Sequence, residues 1–182
     1  MSENNGLSLI KLNQDRFKQY LPDLLEVEEQ SHQKWGNKFS NEMWDQSHFL
    51  SDLPGKFEVS YGVVAKNRLV GFVICSIPLP DTCHLHRLAV HPNYAGREIG
   101  KMLLAKVYEN WLSNNQLKWG TAIIRTDHRA SLPLAHHLGV NIADGPFLER
   151  YFQVRGKTSM KIFDDHFMDE DSIRYVLVYL KK

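Results

Sequence analysis

The chain has 182 residues, 43% hydrophobic and 24% charged, which is enough apolar material for one domain with its own core. Its 22 Lys and Arg against 21 Asp and Glu leave a net charge of +1, a balance that favours neither nucleic acid nor a membrane surface as partner. No secretory leader and no apolar run long enough to span a bilayer are visible, and Cys75 and Cys83 form no CxxC pair, so the expectation is a reduced, cytoplasmic protein.

Residues 1–6 read as a loose tail and 7–182 as the folded domain. Residues 7–12 make a short strand. Asn13 or Asp15 can then cap a helix that runs through Leu21, Leu24, Leu25 and Val27 to His32. Residues 33–39 form a loop with exposed aromatic character. A second short helix is expected over 41–50, with Met43, Trp44 and Phe49 on its apolar side. Residues 58–65 and 68–77 are two strands of an antiparallel hairpin about Lys66-Asn67. Pro78-Leu79-Pro80-Asp81-Thr82 is expected to break the sheet there.

The stretch 83–113 organises the chain. Leu85, Leu88 and Val90 belong to an apolar strand, yet Leu85 to Leu88 is a step of three where one strand face steps by two. One extra residue near His86-Arg87 restores the pattern, which predicts a β-bulge there. After His91-Pro92-Asn93-Tyr94 the period becomes helical: Ile99, Leu103, Val107 and Trp111 form one row, with Leu104, Tyr108 and Leu112 beside it. The turn Ala95-Gly96-Arg97-Glu98-Ile99-Gly100 therefore opens a long helix. Its first amides lack internal partners and suit an anion such as pyrophosphate, and glycine allows close approach. The same turn would serve equally as a plain strand-to-helix connection. It is not a Walker A loop, since the spacing is one residue short and Met102 replaces Ser/Thr.

Residues 117–126 read as a further strand, with Ala122, Ile123 and Ile124 suited to burial. Thr126 or Asp127 caps a helix from about 129 to 138 that ends at Gly139, with Leu134 and Leu138 on its inner face. Residues 141–157 carry no clear pattern, and Gly145-Pro146 marks a loop. Residues 157–163 and 173–180 are the last strands. The acidic run 164–171 between them reads as a solvated loop rather than a metal site. The nine histidines show no HExxH and no ligand-spaced Cys/His cluster, so no metal is expected.

Leu88-Ala89-Val90-His91-Pro92, then Ile99-Gly100 followed by Leu103-Leu104, resembles motif A of the GCN5-related N-acetyltransferases, the GNAT superfamily. Two positions depart from that motif: Ala95 stands where Arg/Gln is usual, and Glu98 where its first glycine is usual. Leu138-Gly139 is similar to the family's motif B. The resemblance implies an α/β (α+β) fold: a single GNAT-type mixed, mostly antiparallel sheet of about seven strands flanked by about four helices, with a β-bulge in the central strand. It implies acetyl-CoA as cosubstrate and direct transfer of acetyl to a primary amine of a small molecule or peptide. The segment Leu88, Ala89 and Val90 would take the pantetheine arm and acetyl carbonyl through its main chain. The turn Ala95, Gly96, Arg97, Glu98, Ile99, Gly100 and Lys101 would hold the pyrophosphate, with Glu98 offset by Arg97 and Lys101. His128 sits where the family often has an Asn contacting CoA.

Catalytic roles follow less directly. The Tyr that many relatives use as acid corresponds to Ala135, and the glutamate base of some relatives corresponds to Ile123. His84 and His86, near the expected bulge, are the candidates, since imidazole titrates near neutrality. His136 and His137 sit in a helix's last turn, where the dipole alone accounts for a cation. A second reading stands beside the enzyme: an acyl-CoA-binding regulatory module with little or no catalysis, which Ala135 and Glu98 favour. The acceptor is not legible in the loops at 33–52 and 141–157. A homodimer through the C-terminal strands is expected by analogy.

Overall fold

The computed structural model describes residues 6–34, 36, 38–157 and 159–182. The expected tail therefore lies outside the described residues apart from Gly6, as do Trp35 and Asn37 of the expected loop and Thr158 of an expected strand. The chain divides into two compact units, one ending at Leu117 and the other spanning Lys118–Lys182. Among the described residues they hold nine strands and seven α-helices, and every pairing within each unit is antiparallel. The fold is mixed α/β, as expected. The strand count exceeds seven because three strands are only two residues long.

The first unit is a meander of β1 (Leu7–Lys11), β2 (Tyr61–Ala65), β3 (Arg68–Leu79) and β4 (Thr82–Val90). Its first hairpin turns at Lys66 and Asn67, with φ of 48° and 63°, the paired left-handed conformation of a type I′ turn. On one face Phe72, Ile74 and Ala89 pack with Leu12, Phe17, Leu24, Val27 and Phe49. This face carries α1 (Gln14–Gln19), α2 (Leu21–Lys34), α3 (Gln46–Leu50) and α4 (Lys56–Val59). The other face carries α5 (Ile99–Ser113), whose buried row is Ile99, Leu103 and Trp111, while Tyr108 and Leu112 lie exposed.

Several boundaries differ from expectation. Asn13 does cap the first helix, its Oδ1 accepting from the Arg16 amide at 2.9 Å. The helix expected to run unbroken to His32 instead stops at Tyr20 and restarts, because Pro22 has no amide to donate and fits only a first turn. The helix expected over 41–50 is a 3-10 turn at Ser40–Glu42 followed by α3, which starts only after Asp45 caps it, Oδ1 to the His48 amide at 3.0 Å. Phe39 is buried rather than exposed.

β2 begins at Tyr61 because α4 precedes it. The fully buried Lys56 donates Nζ to the carbonyls of Phe49 (3.1 Å) and Ser51 and lies 4.7 Å from the centre of the Phe17 ring. These contacts tie the segment to α3. Pro78 does not break the sheet. It falls at a register shift between Ser76 and Leu79, where a residue without an N–H is tolerated.

The second unit is centred on β9 (Arg174–Lys181). It pairs along its length with β5 (Trp119–Arg125) and on its other edge with β6 (Asn141–Ile142) and β8 (Phe167–Met168). β7 (Lys161–Ile162) pairs with β8. α6 (Ser131–His137) ends at Gly139, with φ 69°, as expected. Its inner residue is Ala135, whereas Leu138 is exposed, a correction to the expected face. Gly145-Pro146 opens α7 (Gly145–Val154) instead of marking a loop. Asp144 caps it through the Phe147 amide at 3.0 Å, and Pro146 occupies the first turn. The acidic run contains β8 and a turn in which Asp169 Oδ1 accepts from the amides of Asp171 (3.1 Å) and Ile173 (2.9 Å). No described helix is long and apolar enough to cross a membrane.

Candidate active site

The β3–β4 register runs Phe72↔Ala89, Val73↔Leu88, Ile74↔Arg87 and then jumps to Cys75↔Leu85. His86 is therefore the extra residue of a bulge, at the place the apolar spacing indicated. The bulge brings His84 and His86 to the α2 face together with Arg87, where strict alternation would put both histidines opposite it. His86 Nε2 lies 2.7 Å from Ser76 Oγ, and its ring meets the buried His84 ring edge-on at 4.6 Å. The Trp44 ring stands 6.1 Å from His86.

Beside them lies a buried polar network. The Glu28 carboxylate, fully buried on α2, takes Arg87 through two nitrogens (Nε at 3.1 Å, NH2 at 2.6 Å) and accepts from the Trp44 amide at 3.0 Å. Arg87 also donates to His32 Nε2. Burial first, and then the Arg87 charge, lower the His32 pKa and favour the neutral ring; with Nε2 accepting from Arg87, its proton sits on Nδ1. That buried Nδ1 has no acceptor among the described residues. Sequence reading missed Ser76, Glu28, His32 and Arg87. The available signal was Leu24, Glu28 and His32 at steps of four, two polar residues in an inward row.

The turn before α5 is built for an open helix start. A 3-10 turn at Pro92–Tyr94 is followed by exposed Ala95, by Gly96 at φ 78° and by Glu98 at φ 58°, ψ 15°. Arg97 lies over the Tyr94 ring at 5.0 Å. Glu98 is exposed, and its carboxylate pairs with Lys101 Nζ at 2.6 Å, which holds its pKa below the usual carboxylate value. Ile99 is buried and anchors the helix start, whereas a β-carbon at Gly100 would meet nothing within 4 Å. First-turn amides at Ile99, Gly100 and Lys101 have no intrahelical acceptor. This amide-rich, sterically open turn, with its one carboxylate offset by a lysine, fits a diphosphate.

Leu88, Ala89 and Val90 follow the bulge. Ala89 points into the core beneath α2, and Val90 stands with Ile99 on the α5 face. In the second unit, His128 Nδ1 accepts from the Ser131 amide at 3.1 Å, at the start of α6. Ala135 is buried on α6, and Ile123 lies half-buried in β5. Among the described residues no group of three or more His, Cys, Asp or Glu is arranged to hold a metal ion.

The model of the acetyltransferase (GNAT) family matches residues 21–140, a span that includes the bulge, the α5 turn and α6. The chain belongs to the GNAT family. Solved GNAT structures share its fold. PaiA N-acetyltransferase of Thermoplasma acidophilum, in complex with coenzyme A, has a TM-score of 0.59 at 15% identity, over 97% of this chain and 99% of that one. The ribosomal-protein-S18-alanine N-acetyltransferase of Escherichia coli gives 0.58 at 15%, over 96% and 93%. Naa50 of Arabidopsis thaliana, bound to the bisubstrate analogue CoA-Ac-MVNAL, gives 0.60 at 13%, over 97% and 99%. No curated protein matches the sequence. The GNAT motif's usual glycine at Glu98 now has a reason: the backbone there is left-handed, which costs a non-glycine residue about 1 kcal/mol.

Proposed function

We propose that this GNAT protein transfers the acetyl group of acetyl-CoA directly to a primary amine of a small molecule or peptide. The observation that carries the reading is the β4 bulge, which holds His86 against Ser76 and edge-on to His84. Bound acetyl-CoA would supply the thioester carbonyl and the thiol leaving group. The amides of residues 95–101 hold its pyrophosphate at the α5 N-terminus, and the main chain of Leu88, Ala89 and Val90 takes the pantetheine arm.

His86 accepts a proton from the amine as its nitrogen forms the C–N bond, with His84 next to it as a second candidate. The Ser76 hydroxyl can donate or accept, so it holds the ring in either protonation state. As the C–S bond breaks, the sulfur takes up a proton that His86 returns through water. The coenzyme A complex of the Thermoplasma relative and the peptide-bearing bisubstrate analogue on Naa50 support both cofactor and acceptor class. Free thiols at Cys75 and Cys83 fit a reducing, cytoplasmic setting. A homodimer through the C-terminal strands is the proposed assembly.

Ala135 favours a second reading, acyl-CoA binding without turnover. Calorimetric titration with acetyl-CoA, with CoA alone as comparison, followed by thiol release over an amine panel separates the two. Binding with release on an amine supports the enzyme, binding without release on any amine supports the module, and no binding contradicts both.

A further inference from the structure

We infer that Glu28 is a positioning residue for His86. The inference rests on the reading of His86 as the proton acceptor. A bulge residue is left out of the strand ladder, so β3 pairing alone does not fix where its ring points. Two other things fix it: the backbone of the residue that follows, and what lies against the ring. Glu28 controls both. Its two oxygens grip the guanidinium of Arg87, the next residue in the chain, and Oε1 also accepts the amide of Trp44, whose ring stands against His86. One carboxylate thus ties α2, β4 and the segment before α3 around a single imidazole. It touches Arg87, His32 and Trp44 and acts only through them.

The network is also one-sided. Glu28 is fully buried, and three contacts, two from the Arg87 guanidinium and one from the Trp44 amide, satisfy it where water does not reach. A neutral amide of the same shape would keep the packing. It would lose the planar charged fork that only a carboxylate offers to guanidinium, and present an NH2 group to donors. Arg87 would then be free to turn, and the bulge with it. The Glu28 partners Arg87, His32 and Trp44 include no residue of the 95–101 turn.

The test is Glu28→Gln, alone and on a His86→Ala background, with kcat, KM for acetyl-CoA and the melting temperature measured for each. Displacing a reacting group by a fraction of an ångström to one ångström lowers turnover on the order of tenfold to a hundredfold, and that fall is expected in kcat with KM for acetyl-CoA unchanged. On the His86→Ala background Glu28→Gln should cost nothing further, and the pH at which kcat rises should move in Glu28→Gln alone. Should the glutamine variant prove too unstable to purify, Arg87→Lys, which keeps the charge but not the fork, is read the same way. Equal losses in both backgrounds, or a folded Glu28→Gln with wild-type kcat, overturn the inference. Wild-type turnover in His86→Ala overturns the base assignment itself, and the positioning role with it.

Discussion

Glu98 and Lys101 face each other across the first turn of α5, with 2.6 Å between carboxylate and ammonium. The pair neutralises a negative charge at a helix start that otherwise favours anions, and it does so from a residue in left-handed backbone. Glu98→Gly should therefore tighten acetyl-CoA binding several-fold and raise stability by up to about 1 kcal/mol. Lys101→Ala should weaken binding by a similar factor, more at low salt than at high. Titration calorimetry at two ionic strengths checks both, and a Glu98→Gly variant with weaker binding would contradict the account.

Gly71 holds the α5 start in place by having no side chain. A β-carbon there would stand 2.8 Å from Cγ2 of Ile99 and 3.3 Å from the Ala89 carbonyl. Gly71→Ala should cost roughly 1–3 kcal/mol of stability and reduce acetyl-CoA affinity, because the helix start must shift. Chemical denaturation and calorimetry measure the two effects. Full affinity in a destabilised Gly71→Ala would separate the helix start from the ligand.

His32 gives a pH dependence with a definite sign. Burial, and next Arg87, depress its folded pKa below the ordinary 6.5, so the unfolded chain binds this proton first as pH falls. Its contribution is fully present above pH 6.5 and is lost as pH drops toward the folded pKa. The urea midpoint should fall between pH 7.5 and 5.5, and His32→Asn should flatten that slope. An unchanged slope would place the titration elsewhere.

Local features were legible in the sequence. The Asn13 cap, the Lys66-Asn67 turn, the Gly139 helix end and the bulge at His86 each follow from neighbours within a few residues, and each is present. α7 was not legible because Gly145-Pro146 by itself marks a loop, whereas the Asp144 cap just before it makes Pro146 a first-turn proline. The Glu28–Arg87 pair joins residues far apart in the chain, and nothing in either segment names the other. Lys56 likewise gave no sign of burial, since its partners are the backbone carbonyls of Phe49 and Ser51. Ser76, which faces His86 across the hairpin, became visible only once the strand register was known.

The most direct test of the central claim is a comparison of wild type with His86→Ala and His84→Ala in acetyl-CoA-dependent thiol release on an accepted amine, with acetyl-CoA affinity measured alongside. The account predicts that His86→Ala loses on the order of a hundredfold or more in kcat while binding acetyl-CoA as wild type does. Wild-type turnover in His86→Ala would contradict it, whatever His84→Ala does.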